Sequence, residues 1–145
     1  MSIRRATHTD IPLLVEIWEQ AVRATHQFLP EDDIDFFRPL VRDSYLPSLE
    51  TWVSLSDDDQ PAGFIGLTQA SVDMLFVDPA RHGQGHGRRL LRHAAGLHGR
   101  LTVDVNEQND GAKGFYLAQG FTVTGRSAVD SLGKPYPILH LKQKA

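Results

Sequence analysis

The chain of 145 residues has the size of one domain, expected to span residues 1–145 and to bury about two thirds of its unfolded surface. Its 15 Lys and Arg stand against 18 Asp and Glu, a net charge of −3 that gives no electrostatic case for a nucleic-acid or membrane partner. The lack of cysteine excludes disulfides, thiolate metal sites and a cysteine acyl-enzyme, and the lack of a signal-like N-terminus or a membrane-length apolar segment predicts a soluble cytoplasmic protein.

Ile3 to Ala6 reads as a short first strand. Thr9 or Asp10 can cap a helix that tolerates Pro12 in its first turn, and Leu14, Ile17, Trp18, Ala21 and Val22 then recur at helical spacing, with Trp18 expected in the core. After Pro30, the acids Glu31, Asp32, Asp33 and Asp35 sit where a helix dipole favours them, as a solvated helix start. Pro39 should kink or interrupt this helix, which is expected to end by Pro47. Glu50 to Leu55 and Ala62 to Thr68 read as strands joined by the polar loop Ser56 to Pro61. Val72 to Val77, apolar but for Asp73, is the next strand. A helix beginning near Gly87 places Leu90, Leu91, Ala94 and Ala95 on one face, with Leu97 near its edge. Leu101 to Val105 forms a strand, a helix from Asp110 to Gln119 stops at Gly120, and the strands Phe121 to Val129 and Tyr136 to Lys142 close the chain. The order β-α-α-β-β-β-α-β-α-β-β predicts an α/β layer arrangement with a mixed sheet.

The stretch between the Val72 strand and the following helix is the most informative. Gly83, Gly85 and Gly87 are spaced by single residues just where a helix begins. Glycine allows positive φ and close backbone approach to a ligand, and the first N–H groups of a helix lack internal partners and carry its positive dipole end. Together these make a phosphate cradle. A nucleotide P-loop would need a Lys after a suitably spaced glycine, which is missing. A dinucleotide fingerprint would need glycine where Arg88 stands.

Val77-Asp78-Pro79, a short spacer, and then Gly83-x-Gly85-x-Gly87-Arg88-x-Leu90-Leu91 resemble the pyrophosphate-binding motif of the GCN5-related N-acetyltransferase (GNAT) family. Downstream, Asn109-x-x-Ala112-x-x-Phe115-Tyr116-x-x-x-Gly120-Phe121 resembles the family's second signature, in the same order and spacing. The likeness covers about residues 72 to 121. Ala24-Thr25-His26-x-Phe28-Leu29, Asn106-Glu107-Gln108-Asn109 and Gly133-Lys134-Pro135-Tyr136-Pro137 are further similar to the small bacterial YjaB-type subgroup. The resemblance implies a GNAT fold, a mixed twisted sheet of about six to seven strands flanked by about four helices. It also implies acetyl-CoA as co-substrate and N-acetyl transfer to an amine.

By that resemblance the backbone from His82 through Gly83, Gln84, Gly85, His86 and Gly87 to Arg88 holds the pyrophosphate. The backbone of Leu75, Phe76 and Val77 pairs with the pantetheine arm, with the N–H of Leu75 or Phe76 toward the thioester oxygen, and Asn109 contacts CoA at a helix start. His82 stands where the family usually has Arg or Gln, with Arg81 beside it, and provides less charge at neutral pH. Tyr116 is the expected proton donor to the departing thiolate, its alternative being a packed helix residue. A phenol of pKa about 10 is protonated at pH 7, and full transfer to a thiolate of about 8.5 is uphill by roughly 2 kcal/mol, so hydrogen bonding to the thiolate matters as much as protonation.

A lysine-like amine is only about 0.04% neutral at pH 7, so freeing its lone pair costs roughly 4.6 kcal/mol. The candidates for the base are Asp73, where a buried carboxylate would hold its proton more tightly than usual, Glu107 and Asp104 at the end of the next strand, His26 after the first helix, or a water relay. No His-x-x-x-His pair with a third ligand occurs, so no metal is expected. The acceptor reads only as an amine, a protein lysine or N-terminus or a small molecule, with a cationic one mildly favoured by the net charge of −3. The assembly is expected to be a monomer or homodimer. The competing reading is an acyl-CoA-binding sensor or interaction domain that keeps the fold without catalysis.

Overall fold

The computed structural model describes residues 2–25 and 30–144. In chain order its elements are β1 (Ser2–Arg5), α1 (Ile11–Thr25), α2 (Glu31–Leu40), a one-turn α3 (Leu46–Ser48), β2 (Glu50–Leu55), β3 (Pro61–Thr68), β4 (Ser71–Val77), α4 (His86–His98), β5 (Thr102–Asn106), α5 (Asp110–Ala118), β6 (Phe121–Ser127) and β7 (Ile138–Gln143). The predicted order is recovered, with boundaries moved by a residue or two.

Pro39 does not stop its helix. The chain passes from α2 through a π turn, Val41–Tyr45, directly into α3. Proline removes one backbone donor, and a wider turn accommodates that loss without ending the helix. The acids at the start of α2 are also more than a solvated helix start. Glu31 accepts two 2.6 Å hydrogen bonds from Arg23 of α1, and Asp33 accepts 3.0 Å and 2.5 Å bonds from Lys134 Nζ and Tyr136 OH of the β6–β7 loop.

The seven strands form one mixed sheet in the order β1-β2-β3-β4-β5-β7-β6, with β4 and β5 parallel and the other neighbours antiparallel. Helices cover both faces. Leu14, Ile17, Trp18 and Val22 of α1 pack with Ile34, Val41 and Leu46 on Val53, Phe64 and Met74. On the other face, Leu90, Leu91 and Ala94 of α4 and Tyr116 of α5 pack on Ile65, Leu67, Val72, Val103, Phe121 and Leu141. The second core spans both halves of the sheet, so α4 and α5 hold together strands that pair poorly at its centre. There the β4–β5 ladder consists, among the described residues, of Ser71↔Thr102 and Val72↔Val103.

The cause lies in β4. Gly66 is opposite Met74 and Leu67 is opposite Val72, so Asp73 is the extra residue of a β-bulge. A bulge bends its strand and raises its twist. This one falls just where β4 leaves β5.

At the other end of the sheet, Arg4 of β1 donates 2.7 Å and 2.9 Å bonds to the two oxygens of buried Asp10, whose Oδ2 also accepts the Thr7 N–H at 2.7 Å. The Arg4 guanidinium, with the Thr7 bonds, holds the Asp10 carboxyl at about 2 against an ordinary value of 3.8. This depressed value contributes stability above about pH 4 that is lost as pH falls through about 2. Asp10→Asn is predicted to lower unfolding free energy by about 1–2 kcal/mol at pH 7, with the difference from wild type disappearing near pH 2, as read by urea titration.

Candidate active site

Beyond Val72 and Val103 the two strands diverge, and a cleft of about 740 Å³ opens between them. Its walls are Leu75, Phe76 and Val77 of β4, Val105 and Asn106 of β5, and Asn109 and Tyr116 of the α5 segment. One rim is formed by His82, Gly83, Gly85, Gly87 and Arg88. The edge of β4 from Asp73 to Val77 therefore faces the cleft without a β5 partner in the ladder. Such an edge can pair with an extended ligand arm.

The rim has the properties of a phosphate cradle. Asp78 accepts the Ala80 N–H at 3.0 Å and starts a tight turn over Pro79–Arg81. Gly83 and Gly85 follow at φ of +81° and +85°, a region that favours glycine. Gly85 caps α4, and the Arg89 N–H closes the first helical bond on the Gly85 carbonyl at 3.1 Å. The N–H groups of His86, Gly87 and Arg88 precede that bond and have no acceptor within the helix. A Cβ built on Gly83 or Gly85 meets nothing within 4 Å, so the loop stands open toward a ligand. Gly87 serves a different purpose: a Cβ there would lie 3.1 Å from Phe115 Cζ, so its small size lets the start of α4 close on α5. Arg81, His82 and Arg88 line the cleft, and the two arginines supply cationic side chains, with Arg81 also 3.5 Å from Asp58. Open glycines, unpaired helix-start donors and cations together fit a pyrophosphate.

Two loop residues differ from the simplest expectation. Gln84 is exposed and is not part of the cleft wall; its Oε1 lies 3.3 Å from His86 Nε2. The His86 side chain turns away from the ligand side into the protein, is 1% exposed, and has Nδ1 at 2.7 Å from Oγ of buried Ser54 on β2. Only its backbone N–H is placed to serve a phosphate. Burial, followed by the neighbouring charges of Arg89 and Arg81, pushes the His86 imidazole below its ordinary value of 6.5.

Tyr116 lies on the inner wall, 6% exposed, its ring set edge-on between Phe115 and Phe121 at centroid distances of 5.3 Å. It is both a packed core residue and a cleft residue. Burial pushes its phenol above the ordinary tyrosine value, so the hydroxyl remains protonated throughout the physiological range. Buried Asn109 caps α5, its Oδ1 accepting the Ala112 N–H at 3.0 Å, and lines the cleft as well.

Of the described base candidates, Asp73 and Asp104 share the cleft and Glu107 does not. Asp73 lines the cleft, but as a bulge residue it is exposed, not buried as its apolar strand suggested; Thr68 and Ser71 hydroxyls donate to it. Glu107 is not part of the cleft wall. Arg126 donates to it at 2.5 Å and 3.4 Å and holds its carboxyl below the usual range. His26 lies outside the described residues. Asp104 lines the cleft and is bonded to His140, which is bonded in turn to Ser127. The sequence showed no sign of that chain, because it depends on β7 lying between β5 and β6.

A mixed sheet splayed at its centre, with a glycine-rich helix start on one rim and a tyrosine on the inner wall, defines an acyl-CoA-dependent transferase. Comparisons agree. The family model described as an acetyltransferase (GNAT) domain matches residues 47–123. The peptidyl-lysine N-acetyltransferase YjaB of Salmonella typhimurium is 48% identical over 97% of both chains. The solution structure of apo YjaB from Escherichia coli superposes with a TM-score of 0.90 at 49% identity, covering 97% of this chain and 95% of that one. The PaiA N-acetyltransferase of Thermoplasma acidophilum, solved with coenzyme A, shares the fold at a TM-score of 0.82 and 18% identity, covering 99% and 98%. The chain belongs to the GNAT family and is an N-acetyltransferase.

The buried His86 gives a testable pH dependence. Its depressed value leaves stability intact above about pH 6.5 and removes it as pH falls from there toward the lower folded value, because the unfolded chain binds the proton first. Between pH 7 and 5, wild type is predicted to lose stability faster than His86→Asn, by up to about 1.4 kcal/mol per pH unit, in urea titrations at stepped pH.

Proposed function

We propose that this protein transfers the acetyl group of acetyl-CoA directly to the side-chain amine of a protein lysine. The observation that carries the reading is the cleft at the β4–β5 splay, which joins the glycine rim to Tyr116 and opens between two carboxylates, Asp73 and Asp104. Acceptance of a cationic side chain suits those carboxylates, and near-full-length similarity to two peptidyl-lysine N-acetyltransferases supports lysine as the acceptor. Absence of any described helix long and apolar enough to cross a membrane is compatible with a protein acceptor in solution.

Bound acetyl-CoA supplies the activated acyl group. The backbone N–H groups from Gly83 to Arg88, with Arg81 and Arg88 beside them, hold the pyrophosphate, and the backbone donors carry most of this role. The half-buried edge of Leu75, Phe76 and Val77 pairs with the pantetheine arm and directs the thioester carbonyl toward a strand N–H. Asn109 positions the arm at the start of α5. As the amine nitrogen bonds to the carbonyl carbon and the C–S bond breaks, Tyr116 donates its hydroxyl hydrogen to the sulfur. The raised phenol value makes complete proton transfer costlier than for an ordinary tyrosine, so a hydrogen bond to the developing thiolate is its main contribution. Glu107 is assigned to its ion pair with Arg126 and takes no part in proton transfer.

Tyr116→Phe keeps the ring packing and removes only the hydroxyl. It is predicted to lower kcat for a lysine peptide by about 100-fold with acetyl-CoA affinity within about twofold of wild type, measured by CoA thiol release and by calorimetry. Unchanged turnover would remove Tyr116 from the mechanism.

A further inference from the structure

The sheet face opposite α4 and α5 carries a three-residue hydrogen-bonded chain across β5, β7 and β6. Asp104 and His140 are register partners, and Nδ1 of His140 lies 2.6 Å from Oδ1 of Asp104. Nε2 of the same ring lies 2.7 Å from Oγ of Ser127. The imidazole rests on β6 at Gly125, where a built Cβ would be 3.4 Å from Cδ2. The groups are those of a serine nucleophile and its base, but their direction relative to the site is reversed. Asp104 lines the cleft, whereas Ser127 and His140 are not part of its wall. A nucleophilic serine must face the acyl group, so the arrangement does not suit an acyl-serine. It suits proton removal through the carboxylate.

We propose that Asp104 is the catalytic residue that receives the acceptor ammonium and takes its proton, and that His140, held by Ser127, is the positioning residue that aims the carboxylate. The inference rests on reading the cleft as the acetyl-transfer site. Asp104 is 66% exposed at its side chain, which leaves room for a second donor beside His140. A carboxylate only accepts, so Nδ1–H donates to Asp104 and bare Nε2 accepts the Ser127 hydroxyl hydrogen. One N–H bond of the ammonium breaks, and its proton passes to the free oxygen of the Asp104 carboxylate and on to water. The neutral amine then forms the C–N bond as the C–S bond breaks. The Tyr116 hydroxyl hydrogen-bonds the departing thiolate, and the second proton lost from nitrogen reaches that sulfur through water. The net products are an amide, a thiol and one proton, which leaves to solvent from Asp104.

Charged groups lie near the imidazole on several of the described elements. Asp104 faces it from β5, Lys142 lies on its own strand opposite Thr102, and Asp73 stands across the cleft. Arg126 of β6 is opposite Leu139 and so belongs to the other face, paired with Glu107.

The test is CoA thiol release from acetyl-CoA and a lysine peptide between about pH 6 and 9.5, with wild type, Asp104→Asn, His140→Ala and Ser127→Ala, each checked by circular dichroism. Asp104→Asn is expected to lose at least about tenfold in kcat/KM for the peptide with unchanged acetyl-CoA affinity. His140→Ala is expected to lose about tenfold near pH 7, to recover toward wild type as pH approaches the amine's own titration, and to be partly restored by added imidazole. Ser127→Ala is expected to lose a few-fold. A loss uniform across pH without imidazole rescue, or wild-type profiles in both Asp104→Asn and His140→Ala, overturns the assignment while leaving acetyl transfer standing. Wild-type protein that binds acetyl-CoA yet releases no CoA with lysine peptides overturns the transfer reading and the assignment with it.

Discussion

The separation of two parallel strands after a short ladder is the constraint on which the rest of this molecule depends. A parallel pair at the centre of a sheet ordinarily continues along its length, because each unpaired N–H or carbonyl inside a protein is costly. Here the bulge at Asp73 bends β4 away from β5 after Val72, leaving strand edges open to a ligand and a passage between the faces of the sheet. The cost is met by the side chains beneath. Leu90, Leu91 and Ala94 of α4, with Tyr116 of α5, form one apolar cluster that touches β3 and β4 on one side of the split and β5, β6 and β7 on the other. The helix that bridges the split also presents its unpaired N–H groups at the rim. Structural repair and anion binding are thus assigned to the same element.

That economy explains the loop's composition. Gly83 and Gly85 adopt the positive φ that the turn requires and leave open space beside the backbone, the small size of Gly87 brings α4 against Phe115, and the buried Ser54–His86 bond anchors the first residue of the helix to β2. A loop fixed this way depends little on any single cation. His82, where the resemblance would place a permanent charge, is then a tolerable choice.

The order of elements, the amphipathic faces of α1 and α4, and the glycine rim were all legible in the sequence, because each is a local property of spacing and turn chemistry. What was not legible depends on non-local contacts or on a one-residue irregularity. Asp73 looked buried because it interrupts an apolar run, but a bulge changes which side of the strand a residue faces. His86 looked like part of the ligand loop, and only the packing of α4 on β2 shows that its ring points inward. Asp33 looked solvated, yet it fastens α2 to Lys134 and Tyr136 more than a hundred residues away in sequence. The contact of His140 with Asp104 and Ser127 had no local signal, because β7 inserts between β5 and β6, a pairing that no local pattern encodes.

The central claim is that the cleft at the β4–β5 split is built for an acyl-CoA, and a thermal titration with acetyl-CoA, CoA and AMP side by side tests it most directly. At ligand concentrations near 100 times Kd, linkage gives about 2.7 kcal/mol, or roughly 5–10 °C in Tm for a chain of this length. The account predicts that rise with acetyl-CoA and with CoA, and none with AMP, which lacks the pyrophosphate and the pantetheine arm. No rise with either thioester or thiol at millimolar concentration would contradict it and reduce the glycine rim to a structural turn.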